Sequence, residues 1–184
     1  METIGFIGLG IMGAPMAGHL LDAGYSVVAS DHRGKPPAAL VAKGLKTVSG
    51  HAAVAKAADI VVTMVPDTPQ VAEVLFGDNG VASGLSSGKL VIDMSSISPI
   101  ATKEFAGKVN ALGCDYLDAP VSGGEVGAKA ASLTIMVGGE EKAFERARPI
   151  FEKMGKNVTL VGPNSVGQTT KVANQIVVAL TIEA

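Results

Sequence analysis

The sequence predicts an α/β fold: a doubly wound, mostly parallel sheet that ends in a long C-terminal helix. Three observations predict it. Short β-branched runs alternate with amphipathic stretches, the order from which βαβ units are built. Runs such as Ile60-Val61-Val62 are apolar at every position, as expected of strands covered on both faces. The first such run flows directly into Gly8-Leu9-Gly10-Ile11-Met12-Gly13, a G-x-G-x-x-G lying between a strand and a helical pattern.

The elements follow in order. Thr3–Ile7 reads as the first strand. A helix over 11–23 follows, with Pro15 in its first turn, where a missing N–H costs little, and Gly24 closing it. Ser26–Ser30 is the second strand, and Lys35-Pro36-Pro37 a stiff corner before a helix over 37–43. Helices are predicted over 52–57 and 69–76, with a strand over 59–65 between them. A strand over 89–93 leads to a helix over 99–112, where Ser98 before Pro99 suits an N-cap. Strands over 115–117, 133–137 and 158–161 and a helix over 141–154 complete the sheet. Residues 165–184 read as one helix whose last stretch, Gln175 to Ile182, is strongly apolar. A surface helix has little reason to finish that way, so more protein is expected to follow, or another chain to cover this face. Residues 1–163 form the main domain in this reading, and 164–184 the start of a helix leading to a second one. Right-handed crossovers place ligand space at the C-terminal ends of the strands.

Composition narrows the function classes. The 15 Lys and Arg balance 17 Asp and Glu, which advertises neither nucleic acid nor an anionic membrane. No apolar run reaches the roughly 18 residues needed to span a bilayer, and the N-terminus lacks a signal-peptide layout. A single cysteine, Cys114, forms no intramolecular disulfide; it reads as a small apolar filler, and the chain as a cytoplasmic protein. Three scattered histidines and one cysteine build no zinc site, so no metal is expected.

The glycine turn carries the first chemistry. In a Rossmann-type unit Gly8 permits the tight turn, Gly10 lets a pyrophosphate approach the backbone and Gly13 allows close helix packing. The helix N-terminus, reached through Leu9, Ile11 and Met12, then faces the phosphates. Asp31 lies 18 positions after Gly13, near the spacing of the acid that binds the adenosine ribose. Its carboxylate favours NAD(H); Arg33 nearby would attract a 2′-phosphate, so tolerance of NADP(H) is expected as well. His32 is a turn residue or an adenine neighbour with no proton to transfer. Val65 and Pro66 end one strand and offer backbone and apolar contact to the cofactor; Ser96, after another, offers a hydroxyl. Ser122-Gly123-Gly124 suits an anion, its hydroxyl and exposed N–H groups cradling a carboxylate, although Ser-Gly-Gly taken alone is more readily a turn. Lys171 shares a helix face with Asn174 and Gln175 and could donate the proton that accompanies hydride transfer, although on spacing alone an ordinary surface lysine is the better reading.

Taken together, the segments resemble the β-hydroxyacid dehydrogenase family. Phe6 to Ala17 looks like its N-terminal signature, Asp118 to Gly124 its substrate motif, and Gly167 to Asn174 its catalytic-lysine motif. The resemblance implies reversible hydride transfer between a nicotinamide cofactor and a small 3-carbon hydroxyacid or aldehyde acid. It implies Lys171 as general acid and base, with Ser122, Gly123, Gly124 and Asn174 on the substrate. Family members continue into an all-helical domain that closes the site and builds much of a dimer. The resemblance therefore implies cofactor binding with little turnover by this chain alone, and a homo-oligomer formed through the apolar last helix. A dinucleotide-binding module without catalysis stays open beside it.

Overall fold

The computed structural model describes residues 1–30 and 36–184. Asp31, His32 and Arg33 lie outside the described residues. The chain runs β1 (Thr3–Ile7), α1 (Gly13–Asp22), β2 (Ser26–Ser30), α2 (Ala38–Ala42), β3 (Lys46–Val48), α3 (His51–Ala57), β4 (Ile60–Thr63) and α4 (Thr68–Phe76). After a 3-10 turn at Val81–Gly84 come β5 (Leu90–Asp93), α5 (Pro99–Asn110), β6 (Asp115–Asp118), β7 (Val121–Ser122) and α6 (Gly124–Lys129). The last elements are β8 (Leu133–Gly138), α7 (Glu141–Phe151), β9 (Gly155–Gly162) and α8 (Val166–Glu183).

One sheet holds all the strands in the order β3-β2-β1-β4-β5-β6-β8-β7, with β9 pairing on β8. Strands β1 to β6 are parallel. Strand β8 runs antiparallel to β6 and β7, and β9 parallel to β8. The strand order reverses between β1 and β4, which opens a crevice outside their C-terminal ends.

Alternation along the central strands fills both faces. Ile60 and Val62 pack into one core cluster with Phe6, Met16 and Leu20, while Val61 enters a second with Val54, Val71 and Phe105. Leu90 and Ile92 against Val91 repeat the split. The expected alternation of strand and helix and the mostly parallel sheet are therefore present. Ser98 caps α5 by accepting from the Ala101 N–H at 3.4 Å. Cys114 is buried and its thiol donates to the Ser86 carbonyl, as a filler does; burial pushes its pKa up, away from thiolate chemistry.

Three elements depart from expectation. β3 forms from Lys46-Thr47-Val48, which has no apolar run; it is an edge strand held by parallel pairing to β2. The segment expected as a loop at Ser122–Gly124 instead ends a short strand and begins a helix. Strand β6 passes through Ala119-Pro120 into β7, which pairs antiparallel with β8, and α6 packs back on α1 with His19 Nε2 2.9 Å from the Ala128 carbonyl.

The last helix is as amphipathic as its sequence. Only Gly167 and Gln168 are buried, whereas Val172, Ile176, Val177, Leu180 and Ile182 are exposed. Among the described residues, no helix is long and apolar enough to cross a membrane.

Candidate dinucleotide cleft and lysine helix

A cleft of about 680 Å³ opens at the reversal of strand order. Gly8, Leu9, Gly10, Ile11, Met12 and Gly13 form its floor, with Val65, Pro66 and Ser96 from the ends of β4 and β5. Every cofactor residue expected from the sequence and lying within the described residues lines this space. Ser30, Pro36, Pro37 and His51 close the end beside β2, and Gln70, Glu73 and Val74 of α4 line it too.

The turn is shaped by sterics. Gly8 has φ +101°, and a Cβ there would meet the Met64 carbonyl oxygen at 2.1 Å. A Cβ on Gly13 would meet the Gly8 oxygen at 1.8 Å, so these two glycines close the turn itself. A Cβ on Gly10 would meet nothing within 4 Å, because that position faces open space. No side chain caps α1; the Ala14 N–H is bonded to the Gly10 carbonyl at 2.9 Å and Pro15 has no N–H, so what α1 offers a ligand is its start at Gly13 and the positive end of its dipole. Gln70 Oε1 is buried without a hydrogen-bond partner in a residue of the same wall, an acceptor that a bound N–H group would satisfy. A glycine turn with open space over Gly10, a helix N-terminus and an orphan acceptor fit a dinucleotide.

Beneath the cleft lies a polar network that the sequence reading missed. The buried Asp93 carboxylate accepts from Thr63 Oγ1 at 2.8 Å, the Ser95 N–H at 3.1 Å and the Tyr116 hydroxyl at 3.4 Å. It thereby ties together the ends of β4, β5 and β6. Burial raises its pKa, and those hydrogen bonds oppose the rise. The same network raises the Tyr116 phenol well above its ordinary value, chiefly by burial. Ser95 Oγ accepts from the Val65 N–H at 3.0 Å, so Val65 brings its side chain rather than a free N–H to the cleft. At the β2 end, Ser30 Oγ lies 3.2 Å from His51 Nδ1. A carboxylate as the last residue of a buried strand, true of both Asp93 and Asp118, is the signal that could have found these sites.

Asp118 anchors α8. Its two oxygens accept from the Ser165 N–H at 2.8 Å and the Gln168 N–H at 2.9 Å, capping the helix from β6. Burial pushes its pKa up to about 6, and the N–H bonds offset only part of that. Asn164 Nδ2 adds a bond to the Tyr116 carbonyl at 2.7 Å.

One turn further, Lys171 Nζ donates to Gln175 Oε1 at 2.8 Å, and Asn174 Nδ2 donates to the same oxygen at 3.2 Å. The expected shared face is therefore present. Partial burial lowers the Lys171 pKa. The structure does not bring all the expected site residues into one cavity. None of Ser122, Gly123, Gly124, Lys171 or Asn174 lines the cleft; for Ser122, Gly123 and Gly124 this differs from the expectation that the strand ends face one crevice. The reason is the turn through Ala119-Pro120, which carries Ser122 beyond the parallel strands to the side of β8.

Comparison with known proteins places this geometry. Residues 3–162 match the sequence family described as the NAD binding domain of 6-phosphogluconate dehydrogenase. The chain is 58% identical over 181 residues to 2-hydroxy-3-oxopropionate reductase of Escherichia coli (strain K12), covering 98% of this chain and 62% of that protein. A solved structure of Mycobacterium tuberculosis 3-hydroxyisobutyrate dehydrogenase with L-serine superposes with a TM-score of 0.88 at 37% identity, over 97% of this chain and 60% of that one. An imine reductase from Myxococcus stipitatus in complex with NADP+ superposes with a TM-score of 0.88 at 25% identity, over 98% and 62%. The chain thus spans less than two thirds of the length of each of these relatives. With the glycine turn, the strand order and the family match in agreement, the chain belongs to the family of the NAD-binding domain of 6-phosphogluconate dehydrogenase.

Proposed function

We propose that this chain supplies the cofactor half of an NAD(P)-dependent reductase that interconverts tartronate semialdehyde (2-hydroxy-3-oxopropanoate) and glycerate. The observation that carries the reading is the cleft itself: a glycine turn whose Gly10 faces open space, walled by Val65, Pro66 and Ser96. The 58% identity to a 2-hydroxy-3-oxopropionate reductase supports this choice of substrate.

The chain's own residues have defined tasks in this reading. The turn and α1 hold the diphosphate, and Val65, Pro66 and Ser96 hold the nicotinamide half. Asp31 accepts from the adenosine ribose. The bound nicotinamide supplies the hydride. Lys171 donates a proton to the substrate oxygen in reduction and accepts it back in oxidation. Its pairing with Gln175 occupies one of three ammonium donors and leaves two for that oxygen. Its lowered pKa brings the neutral amine within reach of milder pH. Asn174 orients the substrate hydroxyl, and Ser122, Gly123 and Gly124 hold the carboxylate. Lys171 lies beside an exposed apolar surface, so water weakens its electrostatics and the chain alone binds cofactor better than it turns over. That apolar face is where a second copy or a further domain packs, and a second copy there gives a homo-oligomer.

The test is a titration with NADH and NADPH followed by a substrate panel under NADH oxidation. Saturable binding with turnover of tartronate semialdehyde supports the reading; no complex at millimolar coenzyme with folded protein removes it. Preference for 3-hydroxyisobutyrate would move the assignment to the activity named for the mycobacterial structure. Asp31→Ala should weaken NADH more than NADPH, and the reverse order would remove Asp31 from the ribose. A second reading, a dinucleotide-binding module without catalysis, is favoured by the absence of Lys171 and Ser122 from the cleft lining. Tight binding with no turnover of any acid in the panel would select it.

A further inference from the structure

We infer that Gln168 is a positioning residue that couples the Ser96 wall of the dinucleotide cleft to the helix carrying Lys171. Its side chain is 1% exposed and uses both ends of its amide. Oε1 accepts from the Ile97 N–H at 3.1 Å, and Nε2 donates to the Ser95 carbonyl at 2.7 Å. Those two residues flank Ser96, which is exposed and lines the cleft. The amide therefore clasps the cleft wall from behind, on either side of the residue that faces the ligand space.

The other connections run both ways. Ser95 also holds the Val65 N–H through its Oγ, so the clasped segment carries two cleft-lining positions. The Gln168 backbone N–H is fixed by Asp118, and Lys171 follows three positions later on the same helix. Two bonds of opposite polarity from one planar amide fix orientation as well as distance. A movement of residues 95–97 on cofactor binding must either carry α8 with it or break both bonds inside a buried site, where unpaired amide groups are costly. Leucine at this position would fill similar space yet transmit nothing. Glutamate would keep the acceptor for Ile97 but, when ionised, present no donor to Ser95.

This inference rests on the dinucleotide reading above, and its test separates the two. Amide hydrogen exchange is measured on the native chain, Q168L and Q168E, each with and without saturating NADH. In the native chain NADH should slow exchange in the 8–13 turn and, by about fivefold or more, in residues 166–171. In Q168L the turn should stay protected while the response of α8 disappears; Q168E should respond in between. Turn protection without any α8 response in the native chain overturns the coupling and leaves the dinucleotide reading standing. An undiminished α8 response in Q168L, or in Q168E should Q168L not fold, overturns it as well. No protection of the turn by NADH removes both. In an active preparation the coupling further predicts that Q168L lowers kcat by more than it raises the KM for NADH, whereas equal changes in both would mark a residue that only holds the fold.

Discussion

The glycine turn at 8–13 grows out of a strand whose residues are almost wholly buried, whereas Lys171 rides on a helix that is buried only at Gly167 and Gln168. The two regions serve one proposed reaction but are held by different means. The turn is built from backbone and steric exclusion: Gly8 and Gly13 touch carbonyl oxygens so closely that no side chain fits. The lysine helix hangs from side chains: the Asp118 carboxylate reaches it from β6, and its own Gln168 amide reaches out to Ser95 and Ile97, far away in the sequence. A site made of backbone stands or falls with the fold. A site suspended from a few polar side chains can loosen while the fold survives.

The largest expected effect comes from separating the two kinds of glycine in the turn. Gly13→Val should abolish measurable NADH binding and lower the melting temperature, because its Cβ would lie 1.8 Å from the Gly8 oxygen. Gly10→Ala should leave the melting temperature unchanged and weaken NADH alone, by about tenfold or more, since its methyl group enters only the ligand's space. NADH fluorescence titration beside circular dichroism reads both. Equal loss of stability in the two variants would mean that Gly10 belongs to the scaffold and not to the site.

At the suspended site, Lys171→Ala should cut turnover by about 10²- to 10⁴-fold, the range for a general acid, with the NADH dissociation constant changed less than about twofold. The rate of the oxidative direction should rise with pH through the Lys171 pKa, which partial burial sets below the ordinary lysine value. A flat profile would assign the proton to another group. Steady-state rates over a pH series, with binding measured separately, distinguish these outcomes.

The support of that helix is open to a third measurement. Burial raises the Asp118 pKa from 3.8 to about 6 in the folded chain. Below both values the carboxyl is protonated whether folded or not, and its contribution to stability is complete. As pH rises, the unfolded chain releases the proton first, so stability falls until the folded pKa is passed. A shift of about two units corresponds to roughly 3 kcal/mol lost between pH 4 and 6. Urea unfolding of the native chain and D118N across that range should show the native protein losing ground to the variant by an amount of this order. Asp93 titrates in both proteins and cancels. A constant difference between them would mean that the capping bonds hold Asp118 ionised throughout.

This contrast also explains what the sequence could and could not convey. The spacing of Gly8, Gly10 and Gly13 is a local steric requirement, so a reader of the chain sees the cleft floor directly. The shared face of Lys171, Asn174 and Gln175 follows from the helical period and is equally visible. The clasp of Gln168 on Ser95 and the cap from Asp118 to Ser165 span 73 and 47 positions, so no local spacing links either residue to its partner. Strand β3 escaped because an edge strand of Lys46-Thr47-Val48 needs pairing to β2 and not hydrophobicity to form. Helix α6 escaped because Gly124 and Gly127 weaken its intrinsic propensity, while its packing on α1 supplies what propensity does not. Strand ends of a parallel sheet share one side, which points Ser122 to the common crevice; the antiparallel strand β8 breaks that rule locally.

The smallest expected effect lies on the outer face of α8. Ile176 is 58% exposed and Leu180 66%, so neither contributes much burial in an isolated chain. The pair Ile176→Gln and Leu180→Gln should shift stability by no more than about 0.5 kcal/mol each, as surface changes do, against the 2–5 kcal/mol typical of truncating a buried leucine or isoleucine such as Leu20 or Ile60. Thermal melts of the two variants at several protein concentrations decide the matter. A loss of several degrees that grows with dilution of the native chain would show that a second copy covers these side chains in solution. The lysine helix would then be clamped from outside as well as suspended from within, and the difference between the two regions would belong to the monomer alone.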